Sequence, residues 1–523
     1  MADLFNGYRE QVAAAPWFDE MFDRDGRARP EAAQVNRVLE SLTLQDVTAR
    51  ADSMARTFLD RGVTFDFAGE ERPFPLDIVP RVIDGAVWDP LEAGVAQRVK
   101  ALEAFLDDVY GDMKVVEDGI VPRRLITSSA HFHRAVSGFR PVGGVRVHIA
   151  GIDLIRDAQG TFRVLEDNVR VPSGVSYVLE NRRAMAKGLP EAFTDQAIRG
   201  VDEYPHRLLS ALRKSAPNGE EDPTVVVLTP GVYNSAYFEH TLLAGLMGVE
   251  LVEGRDLIVR HNRVYMRTTG GEQRVDVIYK RIDDDFVDPL QFRTDSLLGC
   301  PGLVNAARAG NVTIANAIGN GVADDKLIYS YVPDLIRYYL GEEPIIPNVD
   351  TYRLEEKEAF EFTMDRLDEL VLKPVDGSGG KGIVIGPNAS KDELDRLRKQ
   401  VTADPRGWIA QPVLQLSTVP TMSGSSFGPR HVDLRPFAVN DGEDVWVLPG
   451  GLTRVALKEG SLIVNSSQGG GSKDTWVVDG RRPGVGPLTP APVRERTSVW
   501  PLEKGRLDSA EEQQQQQAGE QTC

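Results

Sequence analysis

The sequence predicts an α/β protein assembled from several α+β subdomains, and three stretches carry that prediction. Over residues 89–110, Leu91, Val95, Val99, Leu102, Phe105, Leu106 and Val109 recur three or four apart, the spacing of an amphipathic helix. Residues 145–150, 152–156 and 161–166 are short β-like runs, the last two joined by Asp157-Ala-Gln-Gly160, which reads as a hairpin turn. Thr224-Val-Val-Val-Leu-Thr-Pro230, a helical stretch over 236–247 and a short strand over 249–252 follow the strand–helix–strand order of parallel pairing.

These elements divide the 523 residues in order. Residues 1–144 form a partly helical N-terminal region broken by Pro and Gly, and 145–214 hold the hairpin and the helices after it. The polar stretch Ser215-Ala-Pro-Asn-Gly-Glu-Glu-Asp-Pro223 is a linker into an α/β unit over 222–320. A further unit spans 324–416, and 417–505 follow it. Residues 506–523, with five consecutive glutamines, read as a solvated disordered tail. There is no evident internal repeat.

Composition narrows the function classes. With 60 Lys and Arg against 78 Asp and Glu the net charge is −18, which argues against broad binding to nucleic acid or anionic membranes. Two cysteines, Cys300 and Cys523, build neither a disulfide framework nor a zinc site, and Cys300 before a Pro-Gly turn reads as a small buried hydrophobe. The start Met1-Ala-Asp-Leu-Phe-Asn-Gly lacks a signal-peptide pattern, and no run reaches about 18 apolar residues. The expectation is a soluble cytoplasmic protein with no nucleic-acid or membrane partner.

Two segments carry chemistry. In Leu370-Val-Leu-Lys-Pro-Val-Asp-Gly-Ser-Gly-Gly-Lys-Gly-Ile-Val-Ile-Gly386 the glycines match a dinucleotide fingerprint only on paper, because a strand and not a helix follows them. A P-loop fails too, since Gly382 follows Lys381. What remains is a strand–glycine-loop–strand hairpin. The backbone of Gly377, Ser378, Gly379 and Gly380 can wrap a phosphate, and Lys373 adds a point charge. A plain surface hairpin is the bland alternative.

The second segment is the 152–174 run. If Asp157–Gly160 is a four-residue loop, Arg156 pairs with Thr161 and Asp153 with Val164, so Glu166 and Asn168 share a face with Asp153. Three oxygen ligands then converge, a set suited to Mg²⁺ with substrate phosphates. A one-residue slip would separate Asp153 from the other two, and solvated surface carboxylates are the bland reading.

These residues resemble the ATP-grasp superfamily, whose carboxylate–amine and carboxylate–thiol ligases carry an Asp, then Glu-x-Asn, then a Pro- and Gly-containing turn. Here that is Asp153, Glu166-Asp-Asn168 and Pro172-Ser-Gly174. Lys326 opening a helix and Lys373 match the two nucleotide lysines of the superfamily. Trp408-Ile-Ala-Gln-Pro-Val-Leu414 matches the adenine hinge, with Gln411 and Leu414 as candidate contacts. The magnesium signature precedes the lysines instead of following them. That order is similar to the circularly permuted type 2 family and, more distantly, to glutathionylspermidine synthetases. Gly231-Val-Tyr-Asn-Ser-Ala-Tyr-Phe-Glu-His240, Arg281-Ile-Asp-Asp-Asp-Phe286, Asp433-Leu-Arg-Pro-Phe437 and Gly469-Gly-Gly-Ser-Lys-Asp-Thr-Trp476 add to the resemblance.

The resemblance implies a circularly permuted ATP-grasp fold with a pre-ATP-grasp-like α/β domain, and the cofactors ATP and Mg²⁺. It implies a ligase that forms an amide through an acyl phosphate, acting on a small-molecule or peptide carboxylate and amine. An α-helical partner protein and transglutaminase-like proteins accompany such relatives. Arg170 is a candidate for the transferring phosphoryl group or the substrate carboxylate, and Arg454 falls where the superfamily has a phosphate-binding cation; both are equally readable as surface ion-pair residues. Some relatives have an Arg just before the first magnesium Asp, where this chain has Ala150-Gly151-Ile152. Permutation further implies that residues 475–478 lie close to the 146–168 hairpin. A nucleotide-binding scaffold without chemistry and a kinase acting on a hydroxyl are the competing readings.

Four features stay open at this level. His131-x-His133 puts two imidazoles on one face of a strand-like run without a third ligand. Asp283-Asp-Asp285 is either a solvated acidic loop or faces a cleft. Glu239-His240 either orients a substrate amine or belongs to a polar helix face. Lys473 is a third cation near the candidate site.

Overall fold

The computed structural model describes residues 4–480 apart from 68–69, 195, 220, 376–381, 425, 463 and 465–469. Gly377, Ser378, Gly379 and Gly380, Gly469 of its motif, and the 506–523 tail therefore lie outside the described residues. The expected α/β architecture is present. The apolar stripe centred on Leu91–Val109 forms the long helix Gly85–Val109, opened by Asp84, whose side chain accepts from Ala86 N–H. The strand–helix–strand run becomes Val225–Leu228, Tyr237–Met247 and Glu250–Val252. Its strands pair in parallel with each other, and Val225–Leu228 also pairs in parallel with Val277–Lys280, beyond which lies Thr313–Ala315.

A second, antiparallel sheet has the order Tyr352–Arg353, Trp408–Pro412, Leu370–Pro374, Val384–Ile385. Helices Lys357–Asp365 and Lys391–Ala403 bury Met364, Leu397 and Val401 with Leu370 and Leu372 of this sheet in a core of its own. Lys326 opens the helix Lys326–Leu340, where Asp325 caps the N-terminus by accepting from Leu327 N–H at 2.9 Å.

The carboxylate hairpin is Ile149–Arg156 and Phe162–Asn168, in an antiparallel sheet with Phe437–Asn440 and Val445–Val447. Its register corrects the expectation. Asp157 accepts from the N–H groups of Gln159 (3.0 Å) and Thr161 (2.9 Å), so the turn draws in Thr161 and Arg156 pairs with Phe162. That register alone would set Asp153 opposite Leu165. A bulge at this point instead leaves Leu165 unpaired and sets Asp153 opposite Glu166, with Gly151 opposite Asn168. Val164 pairs with Leu154, both fully buried, and does not share the face of Asp153. The three oxygen-bearing residues share one face through the bulge and not through a regular four-residue hairpin.

The N-terminal region is joined to the rest by strand pairing. Leu76–Asp84 runs parallel to Gly471–Asp479, which also pairs with Thr453–Val455. Residues 475–478 thus do not pair with the carboxylate hairpin directly. They connect to it through Thr453–Val455 and the bridges Val432 to Val455, Arg435 to Leu452 and Leu154 to Leu434. No helix among the described residues is long and apolar enough to cross a membrane.

Candidate functional site

On the carboxylate face, Asp153 is buried and gripped by two guanidinium groups. Arg435 donates from Nε (2.5 Å) and Nη2 (2.9 Å), and Arg454 donates from Nη2 (2.6 Å). Arg454 also forks onto Asp433, with Nε 3.0 Å from each carboxylate oxygen. Burial by itself would raise the Asp153 carboxyl, but the two arginines outweigh it and hold the group at about 2. Arg435 is absent from the sequence-derived set, although its string resembles the family. Nothing in local spacing links it to Asp153.

Glu166 and Asn168 sit half-buried beside Asp153, and neither side chain has a hydrogen-bond partner among the described residues. Lys373 comes from the incoming strand of the glycine hairpin. Burial pushes its ammonium down to about 8, and the charge of Lys326 pushes the same way, while Glu166 and Asp153 pull it back up. The two nucleotide-lysine candidates and the carboxylates therefore act on one another across the fold. Gln411 is buried in the neighbouring strand, where its backbone pairs with Val371 and its amide donates to Thr351 Oγ1 at 2.9 Å. Leu414 lies just past that strand, packed against Leu416 and its neighbours.

The residues fit a hard divalent cation. Among the described residues no group of three His, Cys, Asp or Glu side chains could hold a metal unaided. Glu166 and Asn168 nevertheless offer an open carboxylate and amide on one face, a donor set that Mg²⁺ accepts when phosphate oxygens complete the shell.

The other candidates have partners of their own. Arg170 is 8 % exposed and donates to Asp283 (3.1 Å) and Asp324 (3.3 Å), with His131 at 3.3 Å. Asp324 also accepts from Val169 N–H at 2.7 Å, yet burial drives its carboxyl up to about 7. Residues 131–133 form no strand; His133 lies 3.9 Å from Asp284 and edge-on to Phe292. Glu239 and His240 are inside the protein, not on an exposed helix face. Glu239 accepts from the N–H groups of Gly174 (2.7 Å) and Ser176 (3.1 Å), capping the helix Val175–Gly188, and pairs with Arg281 at 3.0 Å. His240 meets the Thr229 hydroxyl at 2.8 Å. Lys473 is wholly buried, spanning Asp77, Val79 O and Pro420 O. Cys300 is buried, as a small hydrophobe should be.

The chain is similar to known proteins over most of its length. The model of the circularly permuted ATP-grasp type 2 family matches residues 80–456. An uncharacterised protein of Mycobacterium bovis is 62 % identical over 475 residues, covering 91 % of this chain and 86 % of that protein. A Frankia casuarinae protein named "Putative glutamate–cysteine ligase 2-2" is 47 % identical; the match covers 88 % of this chain but 53 % of that longer protein. Among solved structures, a glutathione-synthetase-like effector of Globodera pallida, in its apo form, superimposes with a TM-score of 0.55 at 11 % identity. That likeness of fold covers 84 % of this chain and 98 % of the effector. With the family model spanning most of its length, the chain belongs to the circularly permuted ATP-grasp type 2 family.

Proposed function

We propose that the protein is an ATP- and Mg²⁺-dependent ligase joining a carboxylate to an amine through an acyl phosphate. The observation that carries this reading is the open Glu166 set opposite the arginine-held Asp153, with the charges of both carboxylates acting on the buried Lys373. The Frankia relative's name supports the same class of chemistry. A substrate carboxylate oxygen would attack the γ-phosphorus, the bond to the β,γ-bridging oxygen would break, and ADP would leave. The amine nitrogen would then attack the acyl carbon, expelling phosphate and giving up a proton. Little covalent chemistry is asked of the protein, so its work is positioning and charge neutralisation. Glu166 and Asn168 would hold Mg²⁺, which neutralises and orients phosphate oxygens when bound. Lys326 and Lys373 would bind phosphate oxygens.

Calorimetry with a non-hydrolysable ATP analogue tests the site. Binding should require Mg²⁺ and weaken by about tenfold or more in a folded Glu166→Ala variant, the usual cost of losing a hard-cation ligand. Unchanged Mg²⁺ dependence in that variant would remove Glu166 from the site. Product analysis separates the classes: phosphate with a new amide marks a ligase, a stable phosphoester a kinase, and neither a scaffold.

A further inference from the structure

The ladder of the carboxylate hairpin ends at its metal-ligand candidates. Gly151 and Asn168 are its terminal pair, and the same register would next set Ala150 opposite Val169 and Ile149 opposite Arg170. In that place stands the side chain of Asn316. Its Oδ1 accepts from the N–H groups of His148 and Ile149, both at 2.8 Å. Its Nδ2 donates to Ile149 O at 2.7 Å and to Val169 O at 2.8 Å. The residue is 1 % exposed, and its carboxamide accepts two hydrogen bonds and donates two, which is all it can make. It serves as an inserted peptide unit that bridges the two strands where their own ladder stops.

Two further side chains hold the same point. Asn320 Nδ2 donates to Val169 O at 3.1 Å and to Arg146 O at 2.9 Å, and Asp324 accepts from Val169 N–H at 2.7 Å. The residue after Asn168 is thus fixed at both its carbonyl and its N–H by one connector. That connector, residues 316–325, leads from the parallel strand Thr313–Ala315 to Lys326, the first residue of its helix. Asn168 has no comparable anchor on its own side chain, whose amide nitrogen is buried without a hydrogen bond among the described residues. Its aim is therefore set by the backbone on either side, paired to Gly151 and followed by the clamped Val169.

We propose that Asn316, supported by Asn320, is the positioning residue for the metal ligand Asn168, fixing it in one frame with the phosphate-binding Lys326. The inference deepens the ATP-dependent reading above and rests on it. Mg²⁺ demands a near-ideal octahedral shell, so a ligand that drifts is felt at once in affinity.

The test is a double-mutant cycle on the full-length protein, read by calorimetry with Mg²⁺ and a non-hydrolysable ATP analogue. Asn316→Asp keeps the shape and both accepted bonds but puts an oxygen where the donating nitrogen faces Ile149 O and Val169 O. In the folded variant analogue binding should weaken about tenfold, the usual cost of losing a partner behind a metal ligand. In an Asn168→Ala background, where the ligand it positions is gone, the same substitution should add less than about twofold. A role in packing alone would give equal losses in both backgrounds. Asn320→Ala is the second variant, needed if Asn316→Asp melts early. Asn316 still holds Val169 O there, so the loss should be about threefold, again confined to the chain with Asn168. Full affinity in either folded variant, or equal losses in both backgrounds, overturns the positioning role. Failure of wild type to bind the analogue at all overturns the ATP-dependent reading instead, and with it this inference.

Discussion

Lys373 concentrates the electrostatics of the candidate site in one side chain. Its ammonium is drawn toward two carboxylates, yet burial and Lys326 prevail and bring its pKa to about 8 from 10.5. An unfolded chain would keep that proton up to about 10.5, so between pH 8 and 10.5 the unfolded state binds more protons. The cost of burying the charge is thus present below pH 8 and is relieved as pH rises through that window. Nucleotide binding should respond in the opposite sense, because a phosphate needs the ammonium. Affinity for a non-hydrolysable ATP analogue should fall above pH 8, and binding at about pH 8.5 should take up a proton. Calorimetry in two buffers of different ionisation enthalpy reads that proton directly. Lys373→Arg, permanently charged, should bind without uptake, and a buffer-independent heat in wild type would remove Lys373 from the phosphate site.

At the scale of elements, one joint between subdomains is polar and buried. Glu239, on the helix of the parallel-sheet unit, caps the helix that follows the carboxylate hairpin and neutralises Arg281, itself bonded to Pro172 O at 2.9 Å. Removing Glu239 takes away a carboxylate bonded to the buried Arg281 and the acceptor at a helix start. Glu239→Ala should therefore cost about 3–5 kcal/mol, read as a lower urea midpoint, and Glu239→Gln less. A midpoint unchanged by Glu239→Ala would make Glu239 available for substrate instead. The sequence shows why such joints are hard to read. Periodicity placed the helices 89–110 and 236–247 within a few residues of their observed bounds, because apolar spacing reports a buried face. It cannot say which polar residue another subdomain will cover, so Glu239-His240 read equally as solvent-facing. The hairpin shows the same limit. Its strands were legible, but the Asp157 turn and the bulge at Leu165 arise from bonds that alternation does not encode. Arg435 was least accessible of all, since only the tertiary fold brings it to Asp153.

At the scale of the whole molecule, the stretch that matches the family and the physical unit do not coincide. The family match begins at residue 80 and ends at 456, whereas the sheet behind the candidate site is closed by a strand that starts before residue 80 and one that lies beyond 456. Leu76–Asp84 pairs in parallel with Gly471–Asp479, and Trp476 at its centre is fully buried with Ile78, Val79 and Phe193 around it. Ahead of these strands, Asp19 and Glu20 fasten the N-terminal segment. Asp19 accepts from Thr418 Oγ1 at 2.9 Å, and Glu20 pairs with the buried Arg81 at 2.5 Å. Trimming the chain to 80–456 would remove Glu20, the carboxylate paired with Arg81, and the strand Gly471–Asp479 that covers Arg81. It would also strip Thr453–Val455 of its partner strand and expose apolar side chains now packed against Leu76–Asp84. Those losses rival the roughly 5–15 kcal/mol by which folded proteins are stable. The 80–456 fragment should aggregate, or unfold without a cooperative transition, while a 4–480 chain melts cooperatively. Circular dichroism and size-exclusion chromatography of the two decide it: a monomeric, cooperatively melting 80–456 fragment would show that the N-terminal region is an appendage and that the ATP-grasp core carries its own stability.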